Sequence, residues 1–229
     1  MWSVQFNGPA NDWASIPDNA AFSALTDFSC ICRVNMTNWN PSGAQAFMGH
    51  YDTNPVNSKA FRFLNPGVSS KIRLTLSFTG SDNFNYTSTV GVPFSSGSPW
   101  VGFTRASGTG TIKFYTAPDT GTSTPPAIGE FTQLGTNVAG ATGAIYDSAA
   151  DFTVGAVDDG VSAELNGRVY RAQLYSGIYG SGSETLLVDF DPTDSAGPGD
   201  TSWSDGTYTW TLNGGAAVVS DFLPMILHY

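Results

Sequence analysis

The chain has 229 residues, with 9 Lys and Arg against 19 Asp and Glu, a formal charge of −10. That balance argues against a nucleic-acid-binding role, which needs a basic face to neutralise phosphates, and against adsorption to an anionic membrane. Charged residues are only 12%, while 6 Trp, 9 Tyr and 15 Phe supply a sizeable core, so disorder is excluded and polarity must come from Ser, Thr, Asn and Gly.

In chain order, the first element is Trp2–Phe6, where Trp2, Val4 and Phe6 alternate with Ser3 and Gln5. Such period-2 patterning predicts a half-buried strand. The preceding and surrounding residues hold no basic n-region or apolar h-region, so no secretory signal peptide is expected. Asp18–Leu25 has room for one helical turn. Phe28–Met36 places Phe28, Cys30, Cys32, Val34 and Met36 on one face and Ser29, Ile31, Arg33 and Asn35 on the other. Neighbours at i and i+2 on an extended strand do not offer disulfide geometry, so Cys30 and Cys32 are expected as buried free thiols. This usage suits a reducing compartment.

Lys71–Phe78 repeats the alternation, with Ile72, Leu74, Leu76 and Phe78 inward and Lys71, Arg73, Thr75 and Ser77 outward. Further strands are expected at Phe61–Leu64, Trp100–Arg105, Thr111–Thr116, Phe152–Val157, Arg168–Tyr175, Leu186–Phe190 and Tyr208–Leu212. Ser107-Gly108-Thr109-Gly110 has hairpin length, and Asp158-Asp159-Gly160, Asn166-Gly167 and Asn213-Gly214-Gly215 are turn sequences. Long Ser-, Thr-, Asn- and Gly-rich loops are expected over 37–59, 79–99 and 117–150. Nothing marks a linker, so residues 1–229 are read as a single all-β domain: an antiparallel two-sheet β-sandwich. No apolar run approaches the length of a membrane span. The end of the chain, 216–229, finishes on the apolar Phe222-Leu223-Pro224-Met225-Ile226-Leu227-His228-Tyr229. It is expected to dock on the sandwich or on a neighbouring copy, because apolar patches on proteins usually mark interfaces.

Several segments resemble the laminin-G-like, or concanavalin-A-like, jelly roll. They are the opening WSVQFNGPANDWASIPDNAAFSALTDFSCICRVNM, the stretch Pro99–Thr104 followed by Ile112–Tyr115, and Phe152–Gly155 followed by Leu165–Tyr175. The order GRVYRAQLYSGI, LLVDFDP, SWSDGTYTWTLNGGAAVV is similar to laminin-G-like proteins of tailed bacteriophages, labelled minor tail or virion structural proteins. The resemblance implies a virion-surface protein assembled in the host cytoplasm, with other virion proteins and copies of itself as partners. The alternative is a capsid-decoration or tail-scaffold protein without a ligand.

Some jelly-roll relatives are glycosidases with an E-x-D-x-x-E strand. None of Glu130, Glu164 and Glu184 has acids at both the i+2 and i+5 positions, and retaining hydrolysis needs two carboxyls flanking one bond. Asp189 and Asp191 share a strand face, read as a polar outer face. The Gly180–Ser183 loop is no nucleophile elbow, and no P-loop or dinucleotide fingerprint exists. A non-enzymatic protein is expected, with no cofactor. The one metal option comes from the resemblance: laminin-G-like domains often hold Ca²⁺ at the rim, for which Asp158 and Asp159 are the oxygen donors to consider. Asp-Asp-Gly is equally an ordinary turn. For host-surface carbohydrate, Asn38, Trp39, Tyr51 and Asp52 have the right types: aromatic plates for a sugar ring, amides and carboxylates for its hydroxyls. Against that, Trp39 also suits a cap on the sandwich edge.

Overall fold

The computed structural model describes residues 1–8, 11–54 and 58–221. The apolar 222–229 segment lies outside the described residues. Among the described residues seventeen strands follow one another: β1 Trp2–Asn7, β2 Trp13–Ile16, β3 Phe28–Met36, β4 Gln45–Asp52, β5 Ser58–Asn65, β6 Arg73–Leu76, β7 Phe84–Thr87, β8 Trp100–Ala106 and β9 Thr111–Ala117. After them come β10 Thr132–Gln133, β11 Val138–Ala139, β12 Phe152–Val154, β13 Asn166–Ser176, β14 Thr185–Phe190, β15 Ser202–Ser204, β16 Thr209–Asn213 and β17 Ala217–Ser220. Among the described residues helix is confined to short turns, at Ala20–Phe22, Ile128–Glu130 and Pro192–Ser195. The first is the turn expected in Asp18–Leu25, and Asn19 caps it by accepting from the Ala21 N–H at 2.9 Å.

Among the described residues the strands form two antiparallel sheets. One runs β10-β9-β8-β3-β13-β1-β17, with β11 on β9 and β14 on β13; the other runs β15-β16-β2-β12-β4-β5-β6-β7. Their inner faces share one aromatic-rich core. Phe28 meets Phe61 at 5.2 Å and Phe103 at 5.4 Å, Phe63 meets Phe103 at 5.1 Å, and Phe47 meets Phe63 at 5.1 Å. Tilted and edge-on contacts of this kind add to the burial of the rings themselves. This is an all-β sandwich, as the alternation predicts, with the jelly-roll architecture that the resemblance implies.

β3 has the expected limits, and Phe28, Cys30, Cys32, Val34 and Met36 are buried in the core with both thiols free. Its other face differs from expectation. Ser29, Ile31 and Arg33 are buried too. The connections after β9 and β13 fold back over this sheet: Arg33 donates to Asp119 from Nε at 3.1 Å and Nη2 at 2.6 Å, and Ser29 Oγ donates to the Gly177 carbonyl at 2.9 Å.

The three long loops are corrected in part. The 37–59 stretch contains β4, the 79–99 stretch β7, and the 117–150 stretch β10 and β11. β4 escapes pattern reading because it is central, paired with β12 and β5, and buried on both faces except at Gln45. A strand enclosed on both sides has no reason to alternate. Conversely, Lys71–Phe78 pairs as a strand only over Arg73–Leu76. The chain does not stop pairing at Leu212 either, since β17 follows the Asn213-Gly214-Gly215 turn and pairs with β1, Val4 facing Val218.

Candidate functional site

Two crossings carry the chain between the sheets near one end of the sandwich. Residues 37–44 lead from β3 to β4, and residues 88–99 from β7 to β8. Between them lies a cleft of about 320 Å³ lined by Asn38, Trp39, Asn40, Ser70, Val92, Pro93, Phe94 and Ser95. Trp39 contributes only an edge. The residue is 3% exposed, its ring packs 6.2 Å from Phe47, and its backbone carbonyl accepts from Asn65 Nδ2 at 3.0 Å. This is the edge cap, and the ring is not a plate open to a sugar. The Asn38 amide is spent on the turn, with Oδ1 accepting from the Asn40 N–H at 2.8 Å and Nδ2 donating to the Asn40 carbonyl at 3.1 Å. Partly buried Phe94, which packs against the main core, is the other aromatic ring lining the cleft, together with the polar residues Asn40, Ser70 and Ser95. Pattern reading missed Phe94, although its setting, one ring inside Pro-Phe-Ser-Ser-Gly, is a sequence signal.

Tyr51 and Asp52 sit elsewhere. Tyr51 pairs with Lys59 at one end of β5, while the Trp39 carbonyl meets Asn65 at the other. Six positions of β5 at ~3.4 Å each put roughly 20 Å between the two pairs of candidates. Asn38 and Trp39 therefore share one site and Tyr51 and Asp52 another. Tyr51 is also buried; its hydroxyl donates to Asn83 Oδ1 at 2.7 Å and its ring stacks with the Arg62 guanidinium at 4.5 Å. Asp52 Oδ1 accepts from the Asn54 N–H at 2.8 Å.

Asp52 faces the Asp158-Asp159-Gly160 turn, which is tied to β4 by the Asp158 N–H donating to the Tyr51 carbonyl at 3.2 Å. Asp158 and Asp159 hold left-handed φ angles of 55° and 50° before Gly160 at 83°. Asp158 Oδ1 is closed off from solvent without a partner. The Asp159 carboxyl is pushed above the usual range by burial, by Asp52, which it also contacts by a hydrogen bond, and by Asp158. Asp151 is raised by burial and by Asp159, Asp18 and Asp52. Negative charge accumulates at this rim. Yet among the described residues no three Asp, Glu, His or Cys side chains converge as metal ligands.

Asp189 on β14 and Asp191 just after it are committed as well. Arg171 donates to Asp189 from Nε at 2.9 Å and from Nη2 at 2.5 Å, to the Ser123 carbonyl at 2.9 Å, and pairs with Asp191 at 3.3 Å. A bidentate pair of this kind is structural, not a free acid and base.

No protein-family profile and no curated protein matches the sequence. Solved structures do match in shape. A protein of Bacteroides ovatus described as carbohydrate-binding superposes with TM-score 0.64 at 13% identity, over 96% of this chain and 60% of its own. The native heptameric SAP-like pentraxin of Limulus polyphemus gives 0.56 at 11% identity, over 95% and 94%. The CBM40 of Ruminococcus gnavus IT-sialidase, bound to α2,3 sialyllactose, gives 0.50 at 11% identity, over 80% and 94%. The chain thus has the lectin-like jelly-roll fold, shared with proteins described as binding carbohydrate.

Proposed function

We propose that this protein is a non-enzymatic, lectin-like module that binds carbohydrate in the cleft between the two sheet crossings. The observation that carries the reading is the company of Phe94: a partly buried ring at the cleft wall beside an amide and two hydroxyls, in a space of about 320 Å³. A sugar stacks its apolar face on such a ring and bonds its hydroxyls to the polar rim. The carbohydrate-binding description of the Bacteroides ovatus fold neighbour supports the class of ligand. The finer reading, a tailed-phage virion protein that presents this cleft to host glycans, rests on the GRVYRAQLYSGI–LLVDFDP–SWSDGTYTWTLNGGAAVV resemblance. Mass spectrometry and immunolabelling of purified particles test it.

Phe94→Ala and Asn40→Ala should each weaken binding on a glycan array at least ten-fold, with Asn40→Ala leaving the melting temperature unchanged. Binding that survives both substitutions overturns the reading. Burial of Trp39 and Tyr51 favours a second reading, a purely structural particle component without ligand. An array on which the native protein binds nothing selects it.

A further inference from the structure

The chain is strongly acidic, and four of its nine Lys and Arg side chains are taken up by internal acids or by a set of backbone carbonyls. Arg33 pairs with Asp119, Arg168 with Asp221, and Arg171 with Asp189 and Asp191. Arg105 is spent on the carbonyls of Thr26, Ala141 and Gly143. Lys59, Arg62, Lys71 and Arg73, in contrast, cluster on β5 and the entry to β6, and none of them has an ion pair among the described residues.

The register puts Arg62 and Arg73 on one face. Arg62 faces Thr75 and Arg73 faces Leu64, while Phe61, Phe63, Leu74 and Leu76 of the same strands point into the core. The arginines are diagonal neighbours on the outer face, where like charges repel. Burial and the charge of Arg62 both pull the Arg73 pKa down. Each guanidinium is held in place by a neutral group. Arg62 stacks on the Tyr51 ring at 4.5 Å, and Arg73 Nε donates to Thr87 Oγ1 at 3.0 Å. The Nη groups of both carry no hydrogen bond among the described residues. Beside them, Thr75 donates to Asn85 Oδ1 at 2.8 Å, which turns the Asn85 NH₂ into a further spare donor. The surface therefore presents fixed donors and positive charge.

We propose that Arg62 and Arg73, side by side on the outer face of β5 and β6, form a second binding surface that takes the carboxylate of an acidic sugar. The planar fork of each guanidinium suits a carboxylate, and a shared anion removes the repulsion between them. The inference borrows only the ligand class from the glycan-binding reading; its residues lie outside the Phe94 cleft.

The test is titration calorimetry of the native protein, Arg73→Gln, Arg73→Lys and Lys113→Gln with α2,3-sialyllactose, lactose and sodium sulfate. Lys113→Gln removes the same charge from the other sheet. Expected is sialyllactose binding at least ten-fold tighter than lactose or sulfate, weakened by salt. Arg73→Gln should lose that preference, Arg73→Lys should keep part of it, and Lys113→Gln should keep all of it. Equal affinity for lactose and sialyllactose, or an unchanged Arg73→Gln, overturns the proposal. Sulfate binding as tightly as sialyllactose overturns its sugar component. Phe94→Ala reports separately, because loss of lactose binding there with no acidic preference leaves the cleft standing and this surface refuted.

Discussion

Trp39 and Gly155 show how single positions here answer to packing. Trp39 is nine-tenths buried against Phe47, so Trp39→Ala should cost about 3–5 kcal/mol, the usual toll for emptying a large aromatic site. In a domain of this size that lowers the melting temperature by roughly 10 °C. An unchanged melt would mean the indole is not part of the core. Gly155 holds φ 88°, and a Cβ there would lie 2.6 Å from the Phe6 ring. Gly155→Ala combines backbone strain with overpacking and should destabilise by about 2–4 kcal/mol, read from denaturant unfolding. The two cysteines make a chemical prediction. Burial raises both thiol pKa values, with Cys32 adding to the effect on Cys30. The nucleophilic thiolate is thus suppressed. Iodoacetamide at pH 8 should label neither residue in the folded protein and both after unfolding; rapid native labelling would place a thiol at the surface.

At the scale of the element, the Asp158-Asp159 turn shows what a crowded set of carboxylates does to stability. The Asp159 pKa is raised, so the folded state holds this proton more tightly than the unfolded one. The resulting penalty is full above the folded pKa, shrinks as pH falls through it, and is gone below the unfolded value near ~4. Asp159→Asn keeps a residue type that tolerates φ 50° and removes the charge. It should raise the melting temperature slightly at pH 7 and leave it unchanged at pH 3; an equal effect at both would assign the gain to something other than charge. The elements also differ in how plainly they announce themselves. β3 is legible because its core face alternates without exception, and Arg73 reads outward on β6 for the same reason, whereas Thr75, expected on that outer face, is fully buried. β4 is not legible, because both of its faces are covered. The burial of Tyr51 and Trp39, the placing of Phe94 in the cleft beside Trp39, and the diagonal juxtaposition of Arg62 and Arg73 depend on crossings and cross-strand register. Residue type within one segment carries none of that information.

For the whole molecule, the pairing of β1 with β17 matters most. β1 lies between β13 and β17, with Val4 flanked by Val169 and Val218. Ending the chain after Asn213 would remove β17, uncover the Val218 site and leave one edge of β1 unpaired. The shortened protein should melt lower and self-associate on warming, as strands with open edges do. Scattering that stays flat through the transition, with an unchanged melt, would show β17 to be dispensable. The same arrangement sets a timetable for folding. β1 cannot take either of its neighbours until residues beyond 160 have left the ribosome, so its apolar face, Val4 and Phe6, waits unpaired through most of synthesis. Pairings that span so much of the chain close slowly. The vulnerable interval for this protein therefore falls before β13 arrives, and chaperone capture during production should concentrate on nascent chains that already expose β1 and β3 but lack β13.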